Sequence, residues 1–209
     1  MSKVWVERNK AARIRRERLF SKSRPFVRPL DMTKDSWVLW AAYDLGSFPY
    51  WKPDPLKEGK FKEPAEFFEH FKQAITGKSS VLMIDDDTSI SPTKAAFKDK
   101  TGPVCMVTII NFGWRIEPYF DFFYWATPRM RLRAVVAFLQ MVRHAKEVGV
   151  CLVRVIEKGL VLAEHCRPYE VLQPCGKIPF GVPEGDEYLY YVKGRKGEKL
   201  MKVVEARAA

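Results

Sequence analysis

The sequence predicts a mixed α and β domain in which a mostly antiparallel sheet is flanked by helices. Three observations support this prediction: two early helical segments, two adjacent strand-like runs in the middle of the chain, and a strand–helix–strand unit at residues 114–156. Because two strands joined by a long helix usually lie parallel, we expect one parallel pair within an otherwise antiparallel sheet.

The first predicted strand and helix lie close to the start of the domain. Residues 26–30 form a short apolar run, and Pro29 within it favours an edge position because proline cannot donate a ladder hydrogen bond. The helix that follows is expected to be capped by Thr33 or Asp35. A strand at the sheet edge followed by a helix therefore opens the predicted domain.

Residues 63–87 predict a second helix, a strand and a polar turn. Acidic residues and Pro64 open the helix, which is expected over residues 63–76, and the apolar run 80–84 predicts the strand. Three aspartates follow at positions 85 to 87. Carboxylates suit Mg²⁺ or Ca²⁺, but the glycine and the closing glutamate of a calcium loop are missing, so we predict a hairpin turn and no metal site.

Two strand-like runs, at residues 104–111 and 114–125, predict an antiparallel pair. In the second run, the side-chain period of two places Glu117 and Asp121 on the same face. These two carboxylates are therefore expected to point in the same direction.

The longest predicted helix covers residues 129–148. Thr127 is expected to cap it and Pro128 to occupy its first turn, and its apolar residues recur at three- and four-residue spacing. The remaining predicted elements are a strand, a short helix broken near Pro168 and a last strand, at residues 151–156, 160–172 and 188–192.

The net charge of +11 is concentrated at the start of the chain, where the first 30 residues carry ten basic and two acidic side chains. We therefore divide the chain into a basic arm (1–24), a domain (25–195) and a charged tail (196–209). The arm is predicted to bind a nucleic acid or a protein assembly, and a solvated basic helix is the alternative. Its candidate partner-binding residues are Arg13, Arg15, Arg16 and Arg18.

The sequence shows no apolar segment long enough for a membrane span and no secretory signal, so a cytoplasmic location is expected. The four cysteines form no CxxC pair, and their spacing predicts neither a zinc site nor a disulfide framework. Nucleophilic catalysis is a further alternative, with Cys166 or Cys175 as the nucleophile and His165 or His144 as its base, but the spacing does not support it.

Between residues 26 and 192 the order of elements resembles that of the GNAT superfamily of acyl-CoA-dependent N-acyltransferases. The segments that carry the resemblance are VRPLDMTKD, YFDFFYWAT, RMRLRAVVAFLQMVRHAKEVGV and CLVRVI. It implies that acetyl-CoA is the cofactor and that its pyrophosphate binds N–H groups at the start of the long helix. The family's loop reads Arg or Gln, two residues, Gly, one residue, then Gly or Ala. Arg129 and Ala134 match this pattern, whereas Leu132 replaces the first glycine.

The resemblance also implies a set of site residues. The general base is a carboxylate on the strand before the loop, either Glu117 or Asp121, and Tyr169 is the nearest candidate for the general acid, two positions from the expected place, which Arg167 occupies. The cofactor-binding candidates are Tyr124, Trp125, Arg129, Arg131, Leu132, Arg133 and Ala134.

Two functional hypotheses share this fold. The first, which Leu132 and the basic arm favour slightly, is a GNAT-like scaffold with a degraded acyl-CoA motif that acts as a docking or structural protein, such as a bacteriophage virion or assembly component. It would then work in a homo-oligomer or a larger complex. The alternative is an active N-acetyltransferase that transfers an acyl group from acyl-CoA to an amine.

Overall fold

The computed structural model describes residues 3–48, 51–53, 59–75, 79–87, 102–169, 171–182 and 185–194. The α-helices in these ranges are α1 (Lys3–Leu19), α2 (Met32–Asp44), α3 (Pro64–Ile75), α4 (Pro128–His144) and α5 (Leu160–Cys166). The strands are β1 (Phe26–Pro29), β2 (Ser79–Asp86), β3 (Gly102–Asn111), β4 (Arg115–Phe122), β5 (Val150–Ile156), β6 (Gln173–Val182) and β7 (Gly185–Lys193).

The described strands form one seven-stranded sheet in the order β1-β2-β3-β4-β5-β7-β6. Neighbouring strands are antiparallel except β4 and β5, which are parallel and joined by α4. The predicted mixed class, the single parallel pair and the edge position of the first strand are therefore confirmed.

Two apolar layers cover the two faces of the sheet. On one face, α4 and α5 pack against β3, β4 and β5, with Phe138 and Cys166 fully buried. On the other face, α2 and α3 form an aromatic cluster that includes Phe67 and Phe71. Burial of these helix faces is the main stabilising contribution, because apolar area removed from water contributes roughly 25 cal/mol per Å².

The helix α4 begins where the sequence predicts and ends earlier. The Thr127 hydroxyl accepts the N–H of Met130 at 3.3 Å, and Pro128 occupies the first turn. The helix ends at His144 rather than at residue 148. Gly149 does not close it, because its N–H donates to the Trp114 carbonyl at 2.8 Å and leads the chain into β5.

The start of α2 also differs from the prediction. Its N-cap is Asp31, whose carboxylate accepts the Thr33 N–H at 3.0 Å, so neither Thr33 nor Asp35 is the cap. Asp35 is buried and accepts two hydrogen bonds of 2.7 Å from Arg28, which also binds Asp85 at 2.6 Å. Asp35 lies inside the first turn of α2, where its carboxylate accepts the Asp31 N–H. Through Arg28, it also holds α2 against β1 and β2.

Three further predictions are wrong, and one strand of the structure is missing from the prediction. The strand predicted over residues 114–125 is shorter, and the helix predicted over residues 160–172 ends at Cys166. The aspartates at 85 and 86 belong to β2 rather than to a turn. The strand β6 was not predicted, because Pro174 and Gly176 interrupt its apolar pattern.

The basic N-terminal segment contains a helix that packs against the domain. Ala12 and Leu19 of α1 are buried, and Arg15 and Arg16 donate to the carbonyls of Pro168 and Tyr169 at 3.3 and 2.6 Å. The described part of this segment therefore packs against the domain rather than extending away from it. The predicted tail, residues 196–209, lies outside the described residues. Among the described helices, none is long and apolar enough to cross a membrane.

Candidate active site

The parallel strands β4 and β5 separate after a short contact. Their ladder contains two residue pairs, Arg115 with Val150 and Ile116 with Cys151. Past these pairs, the two fully described strands are not paired with each other, although each keeps its partner on the other side. A cavity of about 560 Å³ occupies the gap.

The cavity reaches both faces of the sheet and has mainly apolar walls. On the α4 and α5 side it is bounded by aliphatic side chains such as Val135, Val153 and Leu162. On the α2 and α3 side it is bounded by Trp51 and by residues of β3 and β4. The cavity therefore has room for a ligand that passes between the strands.

Asp121 lines this cavity near the end of β4. Burial raises the pKa of its carboxyl group from 3.8 to about 7. Its carboxylate makes no side-chain hydrogen bond or ion pair with any described residue. A carboxylate in such a setting can accept a proton near neutral pH, as a general base must.

Glu117, the other candidate base, lies at the paired end of β4 and is only 5% exposed. Its carboxylate is 3.2 Å from the Arg115 guanidinium and 3.9 Å from that of Arg154. Arg154 is also bound to Glu187 at 2.6 Å. Glu117 is thus part of a salt-bridge cluster and not among the residues that line the cavity.

The first turn of α4 follows the open end of β4 and presents positive charge. Arg129 is exposed and, with Lys22, borders a second cavity of about 260 Å³. The Arg131 side chain donates to the Ala126 carbonyl at 2.9 Å and lies over the Phe122 ring. Leu132 packs against the core and not into the second cavity, so the departure from the glycine pattern does not block that cavity.

Arg133 does not match its predicted place on a solvated or phosphate-binding face. It is 2% exposed, and its guanidinium bonds to Asp86 at 2.8 Å and to the Leu19 carbonyl at 2.6 Å. The Ser23 carbonyl accepts a further hydrogen bond of 2.9 Å. Arg133 therefore attaches the end of α1 to the sheet, and its donors are used by protein groups.

The remaining predicted site residues are dispersed. Tyr124 is 70% exposed, and the Trp125 indole donates to the Pro103 carbonyl at 2.7 Å. Ala134 is buried in the core. Tyr169 packs beside the core on a short 3-10 helix and is not among the residues that line the large cavity, so the structure does not bring it to Asp121.

Thr108, Tyr119 and Arg154 are polar residues at the cavity that are not among the predicted site residues. Tyr119 lies two residues before Asp121 on the same face of β4, and Arg154 projects from β5. The period of two already placed Tyr119 beside Asp121, so this signal was available. Arg154 is harder to predict from the sequence, because its place at the cavity depends on the gap between β4 and β5, which is a property of the tertiary structure.

The cysteines do not form a nucleophilic site. Cys166 is buried at the cavity wall, and burial raises the pKa of its thiol to about 12, which disfavours the thiolate. Cys175 is exposed on β6. Within the described ranges, no three His, Cys, Asp or Glu residues come together in a way that could hold a metal ion.

The open gap offers a physical fit for the arm of acyl-CoA. The facing edges of β4 after Ile116 and of β5 after Cys151 keep backbone groups that the ladder does not pair. Such groups need partners when they are buried, and the amides of a pantetheine chain are suitable ones. In the first turn of α4, Pro128 has no N–H, Met130 donates to the Thr127 hydroxyl and Arg131 donates to the Thr127 carbonyl, which leaves the Arg129 N–H. An anion at this end would therefore depend mainly on the charge of Arg129 and Lys22.

Comparisons with known proteins identify relatives by structure only. No family model and no curated protein sequence matches this chain. The spermidine N-acetyltransferase of Vibrio cholerae in complex with CoA and spermine superposes with a TM-score of 0.53 and 12% identity, over 84% of this chain and 98% of that chain. A chimera of the Vibrio cholerae enzyme SpeG and hSSAT has a TM-score of 0.57 and 11% identity, over 85% and 99%.

A protein from Sphaerobacter thermophilus DSM 20745 described as an acetyltransferase is also similar, with a TM-score of 0.50 and 15% identity over 81% of this chain and 93% of that chain. At these identities the likeness concerns the fold. The chain therefore has the fold of the GNAT acetyltransferases, in a divergent form.

Proposed function

We propose that this protein transfers an acyl group from acyl-CoA to a primary amine. The observation that carries the proposal is Asp121, an unpaired carboxylate whose pKa is raised to about 7, in a cavity between two separating parallel strands. The similarity to acetyltransferases, one of them in complex with CoA, supports it. The structure thus favours the enzyme hypothesis over the docking hypothesis.

Asp121 acts as the general base. An amine attacks a thioester through its lone pair, so a proton must first leave the substrate ammonium group. A carboxylate with a pKa near 7 accepts this proton far better than one with the ordinary value of 3.8, because the acid and base are then closer in strength. The apolar walls keep bulk water from competing.

Tyr119 is our candidate for the general acid in place of Tyr169. Its side chain borders the same cavity and lies on the same strand face as Asp121. Its hydroxyl can donate a proton to the departing thiolate, and water can return that proton because the residue is 42% exposed.

Acyl-CoA would supply the activated acyl group as a thioester. The unpaired edges of β4 and β5 would bind its pantetheine arm, and Arg129 and Lys22 would attract its phosphates. Arg131 supports the loop through the Ala126 carbonyl and has a positioning role.

The docking hypothesis required a basic segment that is available to a partner. In the structure, Arg13 pairs with Glu17 at 3.0 Å, while Arg15 and Arg16 bond to carbonyls of the domain. Arg18 is exposed. Arg15 and Arg16 thus help to position α1 on the domain, whereas the Arg13 pair is exposed and lies within α1.

The test is acyl transfer by the purified full-length chain, measured as release of CoA thiol from acetyl-CoA with a panel of primary amines. We expect turnover with the wild type and a loss of about 10²–10⁴-fold in kcat for Asp121→Asn. Calorimetric titration with acetyl-CoA should give similar affinities for both proteins, because Asp121 acts on the amine.

The matched control is Glu117→Gln, which removes a carboxylate from the same face of the same strand. It should keep kcat within roughly tenfold of the wild type, because Glu117 does not border the cavity. No binding of acetyl-CoA at millimolar concentration, together with no turnover, would contradict the proposed function.

A further inference from the structure

We infer that the acceptor is a monoamine with an apolar body and not a polyamine. This inference rests on the proposed function, because it assigns the substrate class of the same cavity. It also separates the chain from its structural neighbours, which are described as spermidine N-acetyltransferases.

The first argument is the charge around the cavity. Among the described residues that line it, the charged side chains are Asp121 and Arg154. A polyamine carries several ammonium groups, and each group that leaves water needs a carboxylate or other acceptor. Asp121 can serve the reacting nitrogen, but this described lining offers no second carboxylate for a distal ammonium.

The salt-bridge cluster next to the cavity is balanced. Arg154 lies 2.6 Å from Glu187 and 3.9 Å from Glu117, and Glu117 also faces Arg115. Two guanidinium groups thus meet two carboxylates, which leaves no surplus negative charge to attract a second cation. Arg154 is the member of this cluster that borders the cavity, so a distal ammonium would meet a positive charge first.

The second argument is the apolar character of the walls. Ile110 and Trp51 border the cavity on the side of the sheet that carries Asp121. An alkyl or aryl chain attached to the amine gains free energy when these surfaces bury it, at roughly 25 cal/mol per Å². The same apolar surfaces cannot replace the water that a charged chain loses when it enters the cavity.

The test compares hexylamine with 1,6-diaminohexane, two amines of equal chain length that differ by one ammonium group. With acetyl-CoA as donor, we expect kcat/KM for hexylamine to exceed that for 1,6-diaminohexane by tenfold or more. Spermidine should be as poor as the diamine. Equal or higher kcat/KM for the diamine or for spermidine would overturn the inference.

A charge introduced into the wall sharpens the test. Thr108 borders the cavity and lies directly opposite Tyr119 on the neighbouring strand, one step along the same face from Asp121. We expect Thr108→Glu to raise the ratio of kcat/KM for the diamine over hexylamine by about tenfold. Thr108→Gln has the same shape without the charge and should leave this ratio unchanged.

Binding separates the inference from the proposed function. If no amine is acetylated, the proposed function fails, and the affinities of hexylamine and 1,6-diaminohexane measured by calorimetry still decide which class of amine the cavity binds. Tighter binding of hexylamine, lost in a variant such as Ile110→Trp that fills the cavity on the Asp121 side, would support the inference. Tighter binding of the diamine would overturn it.

Discussion

The two ends of β4 provide two environments for a carboxylate on one strand face. At the paired end, Glu117 lies where β4 contacts β5, and two arginines neutralise it. At the open end, Asp121 lies where the strands have separated, and burial without a partner raises the pKa of its carboxyl to about 7. A separation of four positions along β4 thus distinguishes a carboxylate in a salt-bridge cluster from one that can accept a proton.

Activity gives the largest expected difference between these ends. Asp121→Asn removes the proton acceptor and should lower kcat by about 10²–10⁴-fold, whereas Glu117→Gln should lower it by less than roughly tenfold. Steady-state release of CoA thiol measures both. Equal losses in the two variants would show that the comparison is wrong.

Two arginines near the start of α4 form a second comparison, because Arg133 is buried and Arg129 is exposed. Arg133→Gln breaks an ion pair with Asp86 in which both side chains are buried, and it should lower the free energy of unfolding by about 3–5 kcal/mol. Arg129→Gln should change it by less than about 0.5 kcal/mol. Urea unfolding followed by circular dichroism measures both.

Calorimetric titration of Arg129→Gln with acetyl-CoA then tests the contact between Arg129 and the cofactor phosphates. Arg129→Gln should bind the cofactor about three- to tenfold more weakly, since it removes one exposed cation at the helix start. Unchanged affinity in Arg129→Gln would show that Arg129 does not contact the phosphates.

Stability should shift in opposite directions at the two ends of β4. Burial raises the pKa of Asp121 in the folded state, so its contribution to stability is present at low pH and is lost as the pH rises from about 4 to about 7. At pH 8, Asp121→Asn removes a half-buried charge and should stabilise the fold by up to about 4 kcal/mol. At pH 4 the stabilisation should disappear.

Glu117→Gln should instead destabilise the fold at pH 8 by about 1–3 kcal/mol, because Arg115 and Arg154 lose a charged acceptor. The free energies of unfolding of both variants in urea at pH 4 and pH 8 test these signs. Stabilisation by Glu117→Gln would contradict the ion-pair assignment.

The pH dependence of turnover should follow Asp121. Below about pH 7, kcat/KM for a monoamine should fall about tenfold per pH unit, since the base becomes protonated while the amine stays cationic. Glu117→Gln should keep this profile. A profile that is flat between pH 5 and pH 7 in the wild type would exclude Asp121 as the base.

The sequence predicts the crossover that forms this site because its signals are local. Thr127 and Pro128 mark the start of α4, and the alternation along β4 places Glu117, Tyr119 and Asp121 on one face. The choice between Glu117 and Asp121 depends on where β5 separates from β4, which is a tertiary property that neither strand encodes alone.

Two errors have an identifiable physical cause. Arg133 is predicted to bind the cofactor, yet it lies three residues before Val136 in the buried stripe, and this spacing indicates a core position. Tyr169 was placed near the site, but α5 ends at Cys166 and the chain turns through a 3-10 helix that faces α1.

The most direct test of the central claim is the pKa of the Asp121 carboxyl itself. Carbon-13 NMR of aspartate carboxyl groups in the full-length protein, with the Asp121 signal assigned by its absence in Asp121→Asn, would follow this titration between pH 3 and pH 9. The account predicts a midpoint at about pH 7. A midpoint near the ordinary value of 3.8 would contradict a buried, unpaired base at the open end of β4.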